Sequence, residues 1–249
     1  GLGAGGVVDL RRGLGLERDG GRRAEARHDL LVMSDSDVRA GPALLKQLAT
    51  EIADERVGLV TCPYRSEARG GIWSEMEAIG MNTEFLGGVL VSRMLEKVKF
   101  ALGPAIAIRK DVLEAIGGFA YLREFLAEDF VMGSRTAQLG YEVVLSSQVV
   151  EHRIGRQSMM QNLRHRLRWA RSTRRSRPIG YLGQIFTYPL PLAMLLCAVQ
   201  RGAWPVGVLV LILRGWAARA TAHDVLHDPL VKKWWWLLPV QDVLGFLVW

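Results

Sequence analysis

The sequence predicts an α/β domain followed by a membrane region of apolar helices. Three observations support this: short apolar runs alternate with helical patterns between residues 29 and 151, positive charge is concentrated just after them, and residues 178–249 are largely apolar. A length of 249 residues suits one catalytic-sized domain with a membrane appendage. The hydrophobic fraction of 49% excludes a disordered chain.

The predicted strands and helices alternate along the chain. Strands are expected where short apolar runs occur, as in a sheet that is buried on both faces. They cover residues 29–33, 57–61, 105–108, 141–145 and 148–151. Helices are expected at 43–55, 73–94, 110–116 and 130–139, with glycine stops at Gly117-Gly118 and Gly140. In a fold of this kind, ligands bind at the carboxyl ends of the strands.

Residues 1–28 differ from the rest of the chain. They are rich in glycine and arginine and carry no convincing strand or helix period. Their Gly-x-Gly pairs, which begin at Gly1 and Gly13, lack the preceding strand that a dinucleotide-binding fingerprint needs. We therefore assign this segment no fold.

The positive charge of the chain is one local feature. The net charge is +7, yet residues 152–177 hold nine arginines and no Asp, Glu or Lys, so the remainder is close to neutral. Within 157–176, Met160 and Leu167 belong to an apolar stripe at helical spacing, which predicts a basic amphipathic helix on anionic lipid. Clustered arginines also bind nucleic acid. Because the patch abuts an uncharged stretch and holds few aromatic residues, we expect no nucleic-acid partner.

The apolar C-terminal region predicts a multi-pass membrane protein. Residues 179–199 are uncharged and long enough to cross a bilayer core of about 30 Å, with a kink expected at Pro189 and Pro191. Two weaker apolar segments, 203–218 and 234–249, leave spanning, re-entrant and interfacial placements open. Arginines directly before the first segment place residues 1–177 on the cytoplasmic side.

An aspartate pair is the first candidate for chemistry. Asp35 and Asp37 directly follow the strand predicted at 29–33. On extended backbone, side chains two residues apart point the same way, so both carboxylates could bind one divalent cation, Mg²⁺ or Mn²⁺. Such a cation neutralises the diphosphate of a departing nucleotide. Acidic pairs after strands also occur as helix caps or solvated turns.

Two further elements carry candidate residues. Glu128 and Asp129 begin a predicted helix, where acidic side chains also interact favourably with the helix dipole. Arg168 and Trp169 lie on the basic helix. Each pattern by itself has a purely structural interpretation. The order of the three patterns along the chain is a more specific indication of function than any one of them.

A strand-end Asp-x-Asp, a Glu-Asp pair and an Arg-Trp pair on a basic helix, followed by apolar segments, resemble the lipid-glycosylating GT-A glycosyltransferases. More narrowly, the chain resembles the ceramide glucosyltransferase family (family 21), including its bacterial branch in hopanoid biosynthesis. The similar segments are 26–42, 81–96, 100–119, 125–133, 149–152, 165–169 and 238–249. The resemblance implies a GT-A (Rossmann-like) core over 29–156, incomplete at its N-terminal half. A basic interfacial helix at 157–177 and a membrane region at 178–249 would follow it.

The resemblance also implies residue roles. Asp129 would be the general base and Glu128 would support it through hydrogen bonds. The remaining roles are metal ligands (Asp35, Asp37, His152), donor-binding residues (Gly103, Arg168) and an acceptor-binding residue (Trp169). His165 departs from the family, which has Gln or Arg at this position, so a contact from residue 165 to the diphosphate stays open.

The implied reaction is inverting, metal-dependent transfer of a hexose or N-acetylhexosamine from a UDP-sugar to a hydroxyl of a membrane lipid. The acceptor would be a hopanoid polyol or ceramide, and the site would lie at the cytoplasmic face of a bacterial inner membrane. Alternatives are a family-2 polysaccharide synthase and a non-catalytic membrane fragment. The family's first half-fold and N-terminal anchor are not recognisable in residues 1–28, which we interpret as a truncated or frameshifted start. We therefore expect the chain as written to bind UDP-sugar poorly or not at all.

Overall fold

The structure is a computed structural model that describes residues 6–9, 15–16 and 28–249. It divides into two compact units. The first comprises the described residues up to Tyr64 together with Ser92–His152, and the second comprises Arg65–Val91 and Arg153–Trp249. The segment boundaries expected from composition differ from this division, because residues 65–91 pack with the C-terminal helices.

The first unit contains a six-stranded mixed sheet. The described strands are β1 (Gly6–Asp9), β2 (Gly15–Leu16), β3 (Leu30–Ser34), β4 (Val38–Arg39), β5 (Val57–Thr61), β6 (Tyr64–Ala68), β7 (Ala105–Arg109), β8 (Glu142–Leu145) and β9 (Val150–Ile154). The sheet order is β2-β1-β3-β7-β5-β8. β5 and β8 are parallel, whereas β7 is antiparallel to both β3 and β5. The α/β class is confirmed, but the sheet is mixed, since an apolar run does not encode strand direction.

The glycine-rich start contributes two strands that the sequence analysis did not assign. β1 pairs antiparallel with β3, and β2 pairs antiparallel with β1. Strands of two to four residues are too short to show an alternation of apolar and polar side chains in the sequence. They form here because a neighbouring strand offers backbone hydrogen bonds. The expectation of a truncated or frameshifted start concerns residues that lie mainly outside the described ones.

The described helices follow the predicted positions with local differences. They are α1 (Leu44–Glu51), α2 (Ile72–Gly80), α3 (Leu86–Glu96), α4 (Lys110–Ala115), α5 (Gly118–Leu122), α6 (Glu128–Gln138), α7 (Met159–Ser176), α8 (Pro178–Gly183), α9 (Pro189–Val199), α10 (Trp204–Arg219), α11 (Leu230–Trp234) and α12 (Leu238–Val248). A π-helical turn, Met81–Phe85, joins α2 to α3 within the single helix expected at 73–94. Gly117, with φ of 99°, ends α4 as predicted, whereas the short α5 and strand β6 were not predicted.

The core of the first unit lies on the mixed sheet. Leu59 and Ile108, on neighbouring strands, are fully buried, and Leu48 of α1 is equally inaccessible. Close packing of this kind dominates the stability of an α/β layer. It holds the ends of β3 and β7 in fixed register, which positions the residues described below.

The second unit is built from helices. Residues of α2 pack against α7, α11 and α12. The buried cluster at this centre comprises Met76, Ile79, Ala218, Ala222, Leu237 and Leu238. Small residues on α10 and its continuation allow the close approach of the helices.

The apolar segments differ in their ability to cross a membrane. Within the described residues, one helix, Arg201–Val225, is long and apolar enough to span a bilayer. The uncharged stretch at 179–199 instead forms two helical pieces, Pro178–Thr187 and Pro189–Val199, whose axes are bent by 62° relative to each other. Only the two pieces together are long and apolar enough to cross a bilayer. The kink predicted at the prolines is therefore confirmed, since Tyr188 directly before Pro189 leaves helical geometry (φ −108°, ψ 65°).

Candidate functional site

The aspartate pair lies on a turn at the end of β3. The backbone N–H of Val38 donates to the carbonyl of Asp35 at 3.3 Å, so residues 35–38 form a turn rather than the extended segment expected from the spacing. Aspartate is favoured at the first position of such turns. Asp37 is exposed, and Asp35 is partly buried. The two side chains therefore do not share one face through strand alternation.

His152 is brought to this turn by a second, short pairing of strands. Val38 of β4 lies opposite His152 of β9. The His152 Nε2 atom is 3.5 Å from Asp37 Oδ2, and the imidazole packs edge-on against Tyr64 with a centroid distance of 5.7 Å. His152, predicted as a metal ligand with the two aspartates, therefore lies beside Asp37.

Asp129 approaches the same end of β3 through Gly103. Ser34 pairs with Ala105, and the N–H of Asp35 donates to the carbonyl of Pro104 at 3.2 Å. A Cβ atom placed on Gly103 would lie 3.2 Å from Asp129 Oδ2 and 3.6 Å from Asp35 Oδ2. Two carboxylates that are distant in sequence therefore meet around a backbone position that has no side chain.

The environment of Asp129 changes its acidity. Burial raises the pKa of the Asp129 carboxyl, although hydrogen bonds from the backbone N–H groups of Phe130 and Gly103 oppose the shift. The Phe130 donor is 2.8 Å from Asp129 Oδ1. A carboxylate with a raised pKa in a partly accessible position suits a general base. Glu128 lies beside it in the first turn of α6.

The aspartates have suitable chemistry for a divalent cation. Among the described residues, no three His, Cys, Asp or Glu side chains are grouped closely enough to hold a metal ion by themselves. Mg²⁺ is commonly bound by one or two carboxylates together with substrate phosphates and water, so a larger protein cage is not required. Asp35 and Asp37 fit a site of that open kind.

In the second unit, Trp169 is held between two aromatic neighbours. The imidazole of His165 contacts the indole edge-on at 5.2 Å between centroids, and Phe85 of the π-helical turn lies 5.9 Å away. Trp169 remains partly exposed. An indole fixed on two sides and accessible on another can stack on a ligand.

The start of α7 is anchored by polar contacts to α2. Ser158 caps the helix in a reciprocal box with Gln161. Glu77 of α2 is buried, and its Oε1 atom is 2.7 Å from His165 Nδ1. Burial raises the pKa of the Glu77 carboxyl, but hydrogen bonds and charge from His165, with a further hydrogen bond from Gln157, outweigh this, so that the pKa lies below its usual value. The residue that departs from the family pattern, His165, therefore has a buried anionic partner.

The arginines of α7 occupy different environments. Arg166 donates from Nε to Asn162 Oδ1 at 2.7 Å and from Nη2 to Gln241 Oε1 at 2.7 Å. Four exposed arginines recur at spacings of four, three and four residues and so share one side of the helix: Arg164, Arg168, Arg171 and Arg175. We call these four residues the arginine face. Arg168, predicted to bind the donor, belongs to this face.

The candidate residues thus divide between the two units. Asp35, Asp37, Gly103, Asp129 and His152 lie in the first, and Arg168 and Trp169 lie in the second. Sequence reasoning missed Glu77 and also a buried ion pair between Arg214 and Asp242. The available signal was a charged residue within an otherwise apolar helical run, which usually marks a partner or a functional site.

The comparison with protein families agrees with the order of these elements. The family model described as glycosyl transferase family 21 matches residues 21–249, which include every candidate residue named above. The match covers most of the chain, and glycosyl transfer is the activity that the family supports. This protein belongs to glycosyl transferase family 21.

Proposed function

We propose that the protein, as expressed from its genomic locus, transfers a hexose or N-acetylhexosamine from a UDP-sugar to a hydroxyl group of a membrane lipid, with inversion at the anomeric carbon. The observation that carries the proposal is the meeting of the Asp129 and Asp35 carboxylates around Gly103, at the ends of β3 and the loop before β7. Asp129 can accept the proton of the acceptor hydroxyl, while Asp35 can bind the cation at the donor diphosphate. For the first unit we propose a GT-A (Rossmann-like) arrangement.

Asp129 is the general base of this reaction. It accepts the proton of the acceptor hydroxyl as the hydroxyl oxygen forms a bond to the anomeric carbon. The bond from that carbon to the UDP oxygen breaks, and UDP leaves with the electron pair. Attack from the side opposite the leaving group inverts the configuration. Glu128, which precedes Asp129 in the first turn of α6, is proposed to support it through hydrogen bonds.

Donor binding is proposed for three groups. Gly103 allows the backbone to approach the sugar, and Arg168 binds the pyrophosphate with its planar guanidinium. Asp35, Asp37 and His152 are proposed to hold Mg²⁺ or Mn²⁺, which would supply positive charge at the diphosphate. Each of these residues acts on the donor, whereas Trp169 stacks on the acceptor.

The lipid nature of the acceptor rests on the second unit. Large apolar side chains of α10 are exposed, including Trp204, Leu209, Ile212 and Trp216. The helix that contains them is long and apolar enough to span a membrane. The two bent segments before it are also long and apolar enough when they are taken together. The arginine face directly precedes these segments and supports a cytoplasmic site. The membrane we propose is a bacterial inner membrane. A hopanoid polyol or ceramide would present the required hydroxyl.

The test uses membranes from cells that express the gene as it stands at its genomic locus, so the result is independent of the ends of the 249-residue sequence. Radiolabelled UDP-glucose and UDP-N-acetylglucosamine are supplied separately, with and without EDTA. We expect label in the lipid extract that is lost in Asp129→Asn and in EDTA and is restored by Mg²⁺ or Mn²⁺. Label in a polymer fraction instead would favour a polysaccharide synthase. A folded protein that labels neither fraction would contradict the proposal.

A further inference from the structure

We propose that Glu77 is a positioning residue for Trp169, acting through His165. The proposal rests on the acceptor-binding role proposed for Trp169, but its structural content concerns only the second unit. Glu77 lies on α2, two helical turns from Phe85 in the adjoining π-helical turn. No sequence motif singled it out.

Both carboxylate oxygens of Glu77 accept hydrogen bonds from the first half of α7 or from the segment that leads into it. His165 Nδ1 is 2.7 Å from Oε1. Gln157 Nε2 donates to Oε2 at 2.7 Å, and Asn162 Nδ2 donates to the same oxygen at 3.2 Å. One buried anion therefore connects three side chains at the start of the helix that carries Trp169.

The path from Glu77 to Trp169 has one intermediate side chain. His165 precedes Trp169 by four residues, so the two rings lie on the same face of α7 and make the edge-on contact at 5.2 Å. Binding of Nδ1 by the carboxylate determines which way the imidazole faces and requires a proton on that nitrogen. The second contact of the indole, Phe85, follows Glu77 on the same continuous helix. Glu77 thus orients the imidazole of His165, one neighbour of Trp169, and lies on the same continuous helix as Phe85, the other neighbour.

The docking of α7 does not depend on Glu77 alone. Asn162 Nδ2 also donates to the carbonyl of Trp73 at 3.1 Å, and Arg166 Nη2 donates to the carbonyl of Met76 at 3.3 Å. The Arg166–Gln241 hydrogen bond is a further link. Removing the charge of Glu77 should therefore leave the helix in place while releasing the His165 ring.

Glu77→Gln is the informative substitution because it keeps the shape of the side chain. A carboxylate accepts at both oxygens, whereas an amide has one oxygen and an NH₂ group. The NH₂ group then faces either the amide donors of Gln157 and Asn162, or His165 Nδ1, which can accept from it only if the imidazole proton moves to Nε2. Glu75→Gln is the matched control on the same helix, since Glu75 Oε2 is buried without a hydrogen-bond partner.

The experiment observes Trp169 directly. The protein is labelled with 5-fluorotryptophan at its eight tryptophans, and the ¹⁹F resonance of Trp169 is assigned from its loss in Trp169→Phe. We expect this resonance to shift or broaden in Glu77→Gln and to be unchanged in Glu75→Gln. His165→Gln should produce the same change, and adding Glu77→Gln to it should add nothing. An unchanged Trp169 resonance in folded Glu77→Gln or His165→Gln would overturn the proposal.

The catalytic consequence is measured separately from the position of the ring. In membranes, Glu77→Gln should lower the ratio of lipid transfer to UDP-sugar hydrolysis by about tenfold, as expected for a misplaced acceptor. The donor KM should be unchanged. A general loss of folded protein would lower transfer and hydrolysis by the same factor and would leave their ratio as it is in the wild type. If the wild-type protein transfers no sugar, the proposed function fails while the fluorine measurement still decides whether Glu77 positions Trp169. An unchanged transfer ratio beside a shifted resonance would contradict a positioning role in catalysis.

Discussion

Arg214 of α10 and Asp242 of α12 form a buried ion pair joined by three hydrogen bonds. Arg214 Nε lies 3.1 and 3.0 Å from the two carboxylate oxygens of Asp242, and Nη2 lies 2.8 Å from Oδ1. Arg214 also donates to Thr83 Oγ1 at 3.4 Å. Because α10 lies within the candidate membrane span, the charge of Arg214 is tolerated through this pairing.

Breaking the pair should be more costly than removing it. Asp242→Leu leaves a buried guanidinium unpaired and should lower the free energy of unfolding by about 3–5 kcal/mol. The double variant Arg214→Met with Asp242→Leu should recover most of that loss, because no uncompensated charge remains. Thermal unfolding in detergent, followed by tryptophan fluorescence, compares the two single variants and the double variant. Additive losses would show that the two side chains do not depend on each other.

Asp129→Asn should inactivate the enzyme and stabilise it. Burial raises the pKa of Asp129 above the ordinary 3.8, so its contribution to stability is complete below that value and is lost as the pH rises through the folded-state pKa. Asparagine stays neutral and should raise the free energy of unfolding at pH 7 by about 1 kcal/mol. The difference in melting temperature between the two proteins is measured at pH 4 and pH 7. A difference that shrinks with rising pH would contradict the direction of the shift.

The same carboxylate predicts the acid limb of the rate profile. A general base must be ionised, so kcat/KM for lipid transfer should fall as the pH decreases, with an apparent pKa above 3.8. The profile is measured with membranes that have been checked for retained protein at each pH. An activity that rises on acidification would exclude Asp129 as the base.

Gly103→Ala tests whether the two carboxylates need the space beside this backbone. The added Cβ would stand 3.2 Å from Asp129 Oδ2, so this carboxylate must move by a few tenths of an ångström, whereas 3.6 Å from Asp35 Oδ2 is an ordinary contact. We expect transfer to fall about tenfold while the melting temperature changes little. Gly41→Ala is the control, since a Cβ there meets nothing within 4 Å. Equal rates for the two variants would show that Gly103 does not limit the site.

The arginine face should bind anionic phospholipid. Replacing Arg164, Arg171 and Arg175 by Gln leaves the proposed donor contact of Arg168 in place. Each charge near an anionic surface contributes about 1 kcal/mol, and the contribution is screened by salt. In nanodiscs, the triple variant should lose the preference of the protein for phosphatidylglycerol over phosphatidylcholine.

The control for this measurement removes three exposed positive charges from the first unit, at Lys46, Arg56 and Arg123. It should retain the lipid preference of the wild type. The preference is measured as the ratio of the two lipids that copurify after detergent extraction. A control that loses the preference as strongly as the triple variant would indicate a net-charge effect instead of a specific face.

Local sequence patterns determined much of the secondary structure and the order of the site motifs. The predominantly apolar run at 57–61 forms the predicted strand, and Gly117 ends a helix because its positive φ suits a residue without a side chain. The bend before Pro189 likewise follows from restrictions on adjacent residues. Such features depend on residues that are close in sequence, and therefore they were predictable.

Tertiary structure decided the direction of β7 and the pairing of the short strands β1 and β2. It also decided that Asp35 and Asp129 meet at Gly103 and that Glu77 holds His165. These contacts join residues far apart in sequence, and neither hydrophobic period nor local turn preference specifies which partner a side chain meets. Packing of the surrounding strands and helices supplies that information.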